Sequence, residues 1–278
     1  MQQFSFSVQT KKKIAALLAQ SVCWKARHIM GRKKKGVKKK AEIPVPSSES
    51  NLSLKTNYGD LLAVKKLLED QPELLDKKGA NGCTPLIRAV RSVEETSEAV
   101  VEFLLDLGAD IEVEAYGSMR ALHFSASNSR LGILGKLLAK ADVHAVDASK
   151  NTALHWASRR PNLNPIKRLV EAGCKVDAKN SAGFTPLHLA CSAGVIPTVK
   201  YLIEAGADVN IPTGDGLCAF HIAVDGMHTR LALWLMDTCD AVDTEKSTRA
   251  GETPLDLAVA GHLDEVIARL RPPAAEAK

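Results

Sequence analysis

Aromatic residues and long apolar runs are both scarce in this 278-residue chain. Phe, Trp and Tyr make up 4% of it, whereas apolar residues as a whole make up 45%. Such a composition favours helices packed through Leu, Ala and Val. No apolar run approaches the roughly 18 residues of a transmembrane helix, and no secretory h-region occurs. We therefore expect an intracellular protein, cytoplasmic or nuclear.

Signatures of catalysis and of metal binding are also missing. The chain has no Gly-rich phosphate loop, no HExxH motif and no nucleophile elbow. Its six cysteines show no CxxC pairing, which favours buried, reduced thiols. Cys218, His221 and His228 are close in sequence, but they lack a fourth metal ligand. We predict a protein that is not an enzyme and has neither a cofactor nor a metal site.

What the chain does contain is a pattern that recurs six times from Asn81 onward. Its clearest copies read Gly-x-Thr-Pro-Leu, and the fullest continues as His188-Leu189-Ala190. One large apolar residue marks each copy: Leu86, Leu122, Leu154, Leu187, Phe220 and Leu255. Successive markers are 36, 32, 33, 33 and 35 residues apart.

This pattern resembles the ankyrin repeat, a family with a period near 33 residues and Thr-Pro-Leu-His at the start of each unit. The resemblance covers residues 48–271. It implies an all-α solenoid of stacked helix–turn–helix units joined by hairpin loops, in which neighbouring units supply one another's core. Upstream of the six copies, the segment from Tyr58 to Leu68 resembles a degenerate seventh unit with a polar first helix. Such a unit suits an N-terminal cap with a wet outer face.

Residues within each unit have definable physical roles. The Thr can cap the first helix, and the Pro fits its first position because no N–H is needed there. Gly206 suits the left-handed conformation after a second helix. The family resemblance assigns the histidines at the recurring position a hydrogen-bonding role between neighbouring units: His123, His155, His188 and His221.

Three departures from the pattern bear on the fold. The first repeat is about three residues longer than the repeat at Leu187, and we place the excess around Ser92–Ser97, between its helices. The second repeat has Arg120 and Ala121 in place of Thr-Pro and so loses the cap. The third repeat carries Pro161 and Pro165, which we place between its helices.

Charge is divided unevenly along the chain. The first 50 residues contain 12 of the 37 Lys and Arg residues but only 2 of the 32 Asp and Glu residues. That segment therefore carries +10, and the rest of the chain sums to −5. We predict a basic arm over residues 1–47, disordered or partly helical, the repeat domain over 48–271, and a disordered tail over 272–278.

The densest charge cluster lies in the arm, between Gly31 and Lys40. A run of this kind is typical of a nuclear localisation signal, read by an import receptor, or of a nucleic-acid patch. A solubilising tail is an alternative. The preceding segment, Ile14–Met30, could be an amphipathic helix that binds calmodulin or a membrane surface, and the lack of acidic residues before Glu42 also resembles a mitochondrial presequence. The residues of the basic signal are Arg32, Lys33, Lys34, Lys35, Lys38, Lys39 and Lys40.

The family resemblance also implies where a partner protein would bind, namely on the first helix of each unit and on the hairpin tips. The helix positions are Arg88, Arg91, Phe124, Trp156, Arg159, Arg160, Ser192 and Asp225. The tips supply Asn180 and Thr213, together with Tyr116 and Lys179. Packing against the adjacent unit is the alternative role for Phe124 and Trp156, and ordinary solvated charge is the alternative for Arg159 and Arg160.

We therefore predict a monomeric, non-enzymatic scaffold or adaptor that binds a protein or peptide of acidic character. The alternatives are a nuclear or nucleic-acid-associated regulator that acts through the arm, and a subunit that presents substrates within an enzyme complex. Asn210 is a candidate modification site, because Leu202 precedes it by eight residues, as in the ankyrin loops used by asparaginyl hydroxylases.

Overall fold

The computed structural model of the chain describes residues 48–128 and 130–271, which form seven consecutive pairs of α-helices. Within these residues the one β feature is an isolated bridge between Val146 and Thr152. The helices are α1 (Ser48–Asn57), α2 (Leu61–Asp70), α3 (Pro85–Arg91), α4 (Ser97–Asp106), α5 (Ala121–Asn128), α6 (Leu131–Leu138), α7 (Ala153–Ser158), α8 (Leu163–Glu171), α9 (Pro186–Ser192), α10 (Ile196–Glu204), α11 (Ala219–Asp225), α12 (Thr229–Thr238), α13 (Pro254–Ala260) and α14 (Asp264–Leu270). The predicted all-α repeat fold is confirmed.

Helices stack in two rows. The first helices of neighbouring units pack against each other from α1 through α13, and each also packs on the second helix of its own unit. The second helices form the other row, which is least closely packed between α10 and α12. The principal helix–helix contacts therefore join only a unit to its immediate neighbours, as expected of a solenoid. We call α1–α2 the cap unit and number the next six pairs one to six.

The Thr-Pro dipeptides begin first helices as predicted. The hydroxyl oxygens of Thr84, Thr185 and Thr253 accept hydrogen bonds from the backbone N–H three residues later, at 3.4, 3.4 and 3.3 Å. The following Pro occupies the first turn in each case. Each cap satisfies a donor that would otherwise be left without an intrahelical partner.

The marker residues form the centre of the core. Leu86, Leu154 and Leu187 are fully buried, Leu122 and Phe220 are 2% and 1% exposed, and Leu255 in the last unit is half-buried. Leu255 is less buried because, among the described residues, no further helix pair packs against α13.

The recurring histidines of units two, three and five connect each of these units to the loop that follows it. In His123, His155 and His221, Nε2 lies 3.1, 3.0 and 2.8 Å from the carbonyl oxygens of Ala145, Phe184 and Lys246 in the following loop. Nδ1 of the same rings faces a backbone N–H of its own unit at 3.1–3.3 Å. Because a backbone N–H only donates and a carbonyl only accepts, Nε2 carries the ring proton. The predicted structural role of these histidines is confirmed.

The long first repeat places its extra residues where we predicted, since α3 ends at Arg91 and α4 begins at Ser97. Arg130 of the next unit holds this loop. Its Nη1 donates to the Ser92 carbonyl at 2.9 Å and to the Ser97 hydroxyl, and its Nη2 donates to the Glu94 carbonyl at 2.6 Å.

The prediction for Pro165 was wrong. This residue lies inside α8, within the first turn, and not between the helices. The first turn tolerates Pro because its N–H groups have no intrahelical acceptor.

The exposed surface of the cap unit is less polar than predicted for its outer face. Leu54, Tyr58 and Leu62 are 46%, 64% and 80% exposed, whereas Leu52, Val64 and Leu68 are buried against unit one. None of the described helices is both long and apolar enough to cross a bilayer.

Candidate protein-interaction surface

Arg91, the last residue of α3, lies against two aromatic rings of the following unit. Its guanidinium carbon is 5.4 Å from the centroid of Tyr116 and 5.3 Å from that of Phe124, within cation–π range. The two rings meet edge to face with centroids 5.8 Å apart. Nη1 donates to Cys83 Sγ at 3.4 Å. These contacts fix the guanidinium at the junction of units one and two.

A second arginine–aromatic stack occurs in unit three. The guanidinium of Arg159 lies 5.6 Å from the Trp156 ring centroid. Trp156 donates from Nε1 to Asp147 Oδ2 at 3.0 Å, which fixes the indole on the loop before α7. Burial lowers the pKa of Arg159, and the neighbouring charge of Arg160 lowers it further, whereas Asp147 opposes both. Two guanidinium groups are thus held near each other at one point of the surface.

Arg160 points back toward unit two, where its Nη2 lies 3.5 Å from the Ser127 hydroxyl. Arg88, one turn before Arg91, is half-buried. Together these residues form a surface that combines fixed cations with aromatic rings and runs over units one to three. We call the following set the arginine–aromatic surface: Arg88, Arg91, Tyr116, Phe124, Trp156, Arg159 and Arg160.

Several of the predicted binding residues offer little side-chain surface. Phe124 is 6% exposed and Thr213 is 5% exposed. The Thr213 hydroxyl accepts from the Leu217 N–H at 3.1 Å, and the Asn180 side-chain oxygen accepts from the Ala182 and Phe184 N–H groups at 3.0 and 2.9 Å. Phe124 thus supports Arg91, and Thr213 and Asn180 hold their own hairpin loops.

Ser192 and Asp225 are half-buried at the carboxyl ends of α9 and α11. The Ser192 carbonyl accepts from His228 Nε2 at 3.0 Å. Participation of any of the predicted residues in binding stays a prediction.

The charge along the row of first helices changes from positive to negative toward unit six. Burial raises the pKa of Glu252, and the nearby charges of Asp225 and Asp256 raise it further. Three carboxylates are therefore close together at the far end of the first-helix row, opposite in sign to the arginine–aromatic surface.

Asn210 lies between two hairpin loops. Its side chain accepts from the Asp243 N–H at 3.1 Å and donates to the Ala241 carbonyl. Its own carbonyl accepts from Lys246 Nζ at 3.1 Å. A modifying enzyme would have to displace these contacts, and modification of Asn210 stays a prediction.

The described cysteines are free thiols, and all but the half-buried Cys239 are buried. Burial raises the pKa of Cys174 to about 11, and it also raises the pKa of Cys191. Such thiols are poor nucleophiles at neutral pH. No group of three or more potential metal ligands occurs among the residues that the structure describes. Cys218, His221 and His228 each face a backbone carbonyl.

The residues of the basic signal lie outside the described residues, as does Cys23. Among the described residues, sequence reasoning missed Asp147, which is buried and accepts from the N–H groups of Ser149 and Asn151 as well as from Trp156. The available signal was the spacing Asp147-x-Ser149-x-Asn151, which is typical of a side-chain-stabilised turn.

Comparisons with known proteins agree with the repeat fold. A family model described as "Ankyrin repeats (3 copies)" matches residues 122–213, and another described as "Ankyrin repeat" matches residues 81–115. The two matches cover units one to four.

Similar regions occur in much longer proteins. The chain is 32% identical over 120 residues to the "Ankyrin repeat domain-containing protein SAT10" of Stachybotrys chartarum, and the matched region makes up 43% of this chain and 6% of that protein. It is 29% identical over 140 residues to Alpha-latroinsectotoxin-Lt1a of Latrodectus tredecimguttatus, a region that makes up 49% of this chain and 10% of the toxin. It is also 29% identical over 137 residues to Neurogenic locus notch homolog protein 1 of Mus musculus, a region that makes up 49% of this chain and 5% of that protein. The matches thus span a tenth or less of these relatives.

Proposed function

The chain belongs to the ankyrin repeat family, and from that premise we propose that it is a non-enzymatic scaffold or adaptor that binds a partner protein on the arginine–aromatic surface. Ankyrin repeats are a protein–protein interaction module, and what distinguishes one member from another is its surface side chains. The observation that carries the proposal is the pair of arginine–aromatic stacks in units one to three.

Arginine and aromatic side chains dominate the energy of many interfaces, because each combines a large contact area with a polar group. A guanidinium also pairs with a carboxylate through two parallel hydrogen bonds. The partner segment is therefore acidic and carries an apolar residue that contacts Trp156.

The test replaces Arg159 and Arg160 with Glu. Proteins captured from a cell lysate by the original chain and by the double variant are compared by quantitative mass spectrometry. We expect the affinity for the specific partner to fall at least about tenfold, which corresponds to about 1.4 kcal/mol.

Arg230→Glu is a matched control, because Arg230 is an exposed arginine on α12, outside the arginine–aromatic surface. The unfolding midpoint should change little in either variant, since partly exposed charges contribute little to stability. Equal capture by all three proteins would place the binding surface elsewhere.

The charge of the arm supports a second candidate, a regulator that contacts nucleic acid through residues 1–47. A balance of +10 in the first 50 residues attracts polyanions and makes their binding strongly salt-dependent. A salt titration of RNA or DNA binding, with the six lysines of the basic signal replaced by Ala in parallel, tests this candidate.

A further inference from the structure

The hairpin tips of neighbouring units are joined by backbone hydrogen bonds from unit two to unit six, where each tip is counted with the helix pair that follows it. The four bonds measure 2.8, 2.9, 2.9 and 3.1 Å: Ala148 N–H to the Gly117 carbonyl, Ser181 to Ser149, Gly214 to Ala182, and Arg249 to Asp215. Among the described residues, no such bond joins the tips of units one and two. The equivalent groups there are the Tyr116 N–H and the Asn81 carbonyl.

The sequence of these two tips also differs from that of the others. In units three to six, the residue seven positions before the marker has a side-chain oxygen that accepts from at least one N–H of its own tip: Asp147, Asn180, Thr213 and Thr248. Units one and two have Gly79 and Ala115 at this position, which supply no side-chain acceptor. Each of their tips instead contains two consecutive residues with positive φ: Asn81 and Gly82, or Gly117 and Ser118. The junction of units one and two is therefore built differently from the later ones.

Arg91 reaches both of these tips. Its guanidinium stacks on the Tyr116 ring in the tip of unit two, and its Nη1 donates to Cys83 Sγ at 3.4 Å. The Cys83 thiol in turn lies 3.9 Å from the Asn81 carbonyl oxygen in the tip of unit one. Because contacts on both sides hold the arginine in place, binding a ligand to it costs little side-chain ordering.

The charge of Arg91 is not paired with a carboxylate among the described residues, where its contacts are two rings and one sulfur atom. Glu112 and Glu114, which precede Tyr116, pair with Arg120 instead, at 2.8 and 3.3 Å. Neither Nε nor Nη2 of Arg91 has a hydrogen-bond acceptor within the described part of the chain, and neither is buried. One edge of a fixed guanidinium is therefore open to an anion.

We propose that Arg91 binds the side-chain carboxylate of an Asp or Glu residue in the partner, while Tyr116 contacts an apolar residue next to it. Nε and Nη2 form the side-on edge of the guanidinium, which matches a carboxylate through two parallel hydrogen bonds. Tyr116 is 43% exposed, so its ring has area left for a partner side chain. This inference rests on the proposed function and identifies the arginine that anchors the partner's acidic group.

A single acidic residue fits this position better than a nucleic acid does. Glu94 and Glu95, in the loop after α3, are exposed, and so is Asp110 in the hairpin before α5. These carboxylates would repel a continuous polyanion along its length, whereas one Asp or Glu side chain meets mainly Arg91. A side chain is also favoured over a chain end, because first helices pack on both sides of α3 and the surface continues in both directions.

The experiment labels the full chain with fluorotyrosine, which gives three fluorine NMR signals because the chain contains three tyrosines. Tyr116→Phe identifies the Tyr116 signal, and Tyr58 in the cap unit and Tyr201 in unit four are internal references. The probe is a Leu-Glu-Leu peptide flanked by glycines, acetylated and amidated so that Glu carries its only charge. One matched peptide has Gln in place of Glu, and another has that Gln together with a free terminal carboxylate.

We expect the Tyr116 signal to shift with the Glu peptide, with an affinity at least about fivefold higher than for the amidated Gln peptide. Arg91→Gln should abolish this preference, and Arg91→Lys should reduce it because Lys lacks the planar fork. Arg230→Gln, the matched control, should leave the preference unchanged. Circular dichroism verifies that each variant is folded, and the comparison of peptides on the original chain is decisive without any variant.

Two outcomes would overturn the inference and leave the proposed function standing, provided that lysate capture still depends on Arg159 and Arg160. One is equal affinity for the Glu and Gln peptides, and the other is a preference for Glu that persists in Arg91→Gln. Tighter binding of the peptide with the free terminal carboxylate would overturn the assignment to a side chain. A larger Tyr116 shift with oligothymidylate at the same salt concentration would overturn it in favour of nucleic-acid binding. Loss of both the preference for Glu and the dependence of capture on Arg159 and Arg160 would refute inference and function together.

Discussion

At the scale of single residues, each recurring histidine uses both ring nitrogens. Nδ1 accepts from the first turn of its own unit, and Nε2 donates to a carbonyl of the next loop. Both contacts require the neutral ring. Burial lowers the pKa of His155 and of His188 to about 4, and it also lowers the pKa of His123 and His221.

This chemistry predicts that the free energy of unfolding falls on acidification. The unfolded chain takes up these protons near pH 6.5, whereas the folded chain does so only near pH 4. The stabilisation is therefore complete above about pH 6.5 and is lost as the pH falls toward 4, by roughly 3 kcal/mol for each of the two histidines. Urea midpoints at pH 7, 6 and 5 measure it.

The His155→Gln and His188→Gln variants should be less stable at pH 7 but should show a shallower dependence on pH. The range of pH 7 to 5 matters, because Asp60 and Asp256, whose pKa values are lowered, lose their contribution only under more acidic conditions. A midpoint that stays constant from pH 7 to 5 would contradict the histidine argument.

Marker residues give a second prediction at this scale. Leu187 is fully buried, so Leu187→Ala should cost about 2–5 kcal/mol of unfolding free energy, through lost burial and the cavity that remains. Leu62→Ala is the matched control, because Leu62 is 80% exposed and its truncation should cost little. A cost below about 1 kcal/mol for Leu187→Ala in urea unfolding would contradict the packing described above.

Residues with short-range roles were the most predictable from sequence. The Thr84-Pro85 cap follows from local backbone chemistry, and its geometry was predicted correctly. For Phe124 the sequence left two roles open, partner binding and packing against the adjacent unit, and its 6% exposure favours packing. Thr213 has an exposed-loop position in the sequence, yet its side chain turns inward to hold the loop. Whether such a side chain is exposed depends on residues that are distant in the sequence. The exposure of the surface residues was therefore predicted less well than the fold.

At the scale of helices, successive second helices are joined by pairs that include a cation. Lys65 lies 5.2 Å from the Phe103 ring centroid, and Lys136 pairs with Glu102 at 2.8 Å. Arg269 of α14 pairs with Asp237 of α12. Where α10 and α12 pack most loosely, His228, the residue before α12, instead donates to the Ser192 carbonyl at the end of α9.

His228 fits in this place because residue 194 is glycine. Gly194 has φ +66°, and a Cβ there would lie 2.5 Å from His228 Nδ1. Gly194→Ala should therefore strain the backbone and also displace the imidazole from Ser192. We expect Gly194→Ala to lower the free energy of unfolding by at least about 1 kcal/mol more than Gly206→Ala does, because a hydrogen bond and packing are lost.

Gly206 is the matched control, because it has φ +92° but a Cβ added there would meet nothing within 4 Å. Its substitution thus reports the backbone strain alone. Adding His228→Ala to Gly194→Ala should remove most of the excess cost, since the clashing ring is gone. Equal costs for the two glycine variants in urea unfolding would show that the His228 contact is unimportant.

At the scale of the whole molecule, charge is divided along the chain, +10 in the first 50 residues against −5 in the remainder. Replacing Lys33, Lys34, Lys35, Lys38, Lys39 and Lys40 with Ala should shift a fluorescent fusion out of the nucleus, because import receptors bind dense basic runs. Microscopy of the two fusions measures the shift. An unchanged distribution would argue against an import signal, and a mitochondrial pattern of the unmutated fusion would indicate a presequence.

The contacts between neighbouring units also determine how the molecule responds to tension. Links that join only adjacent units act in series, so a force applied at the two ends is carried in full by every junction. The junction that yields first is the weakest one, and each unit that comes apart releases about 33 residues, or roughly 110 Å of extended chain. The repeat domain would then lengthen in steps while the units still stacked retain their shape, and a partner held across units one to three would be released only when the tension reaches those units.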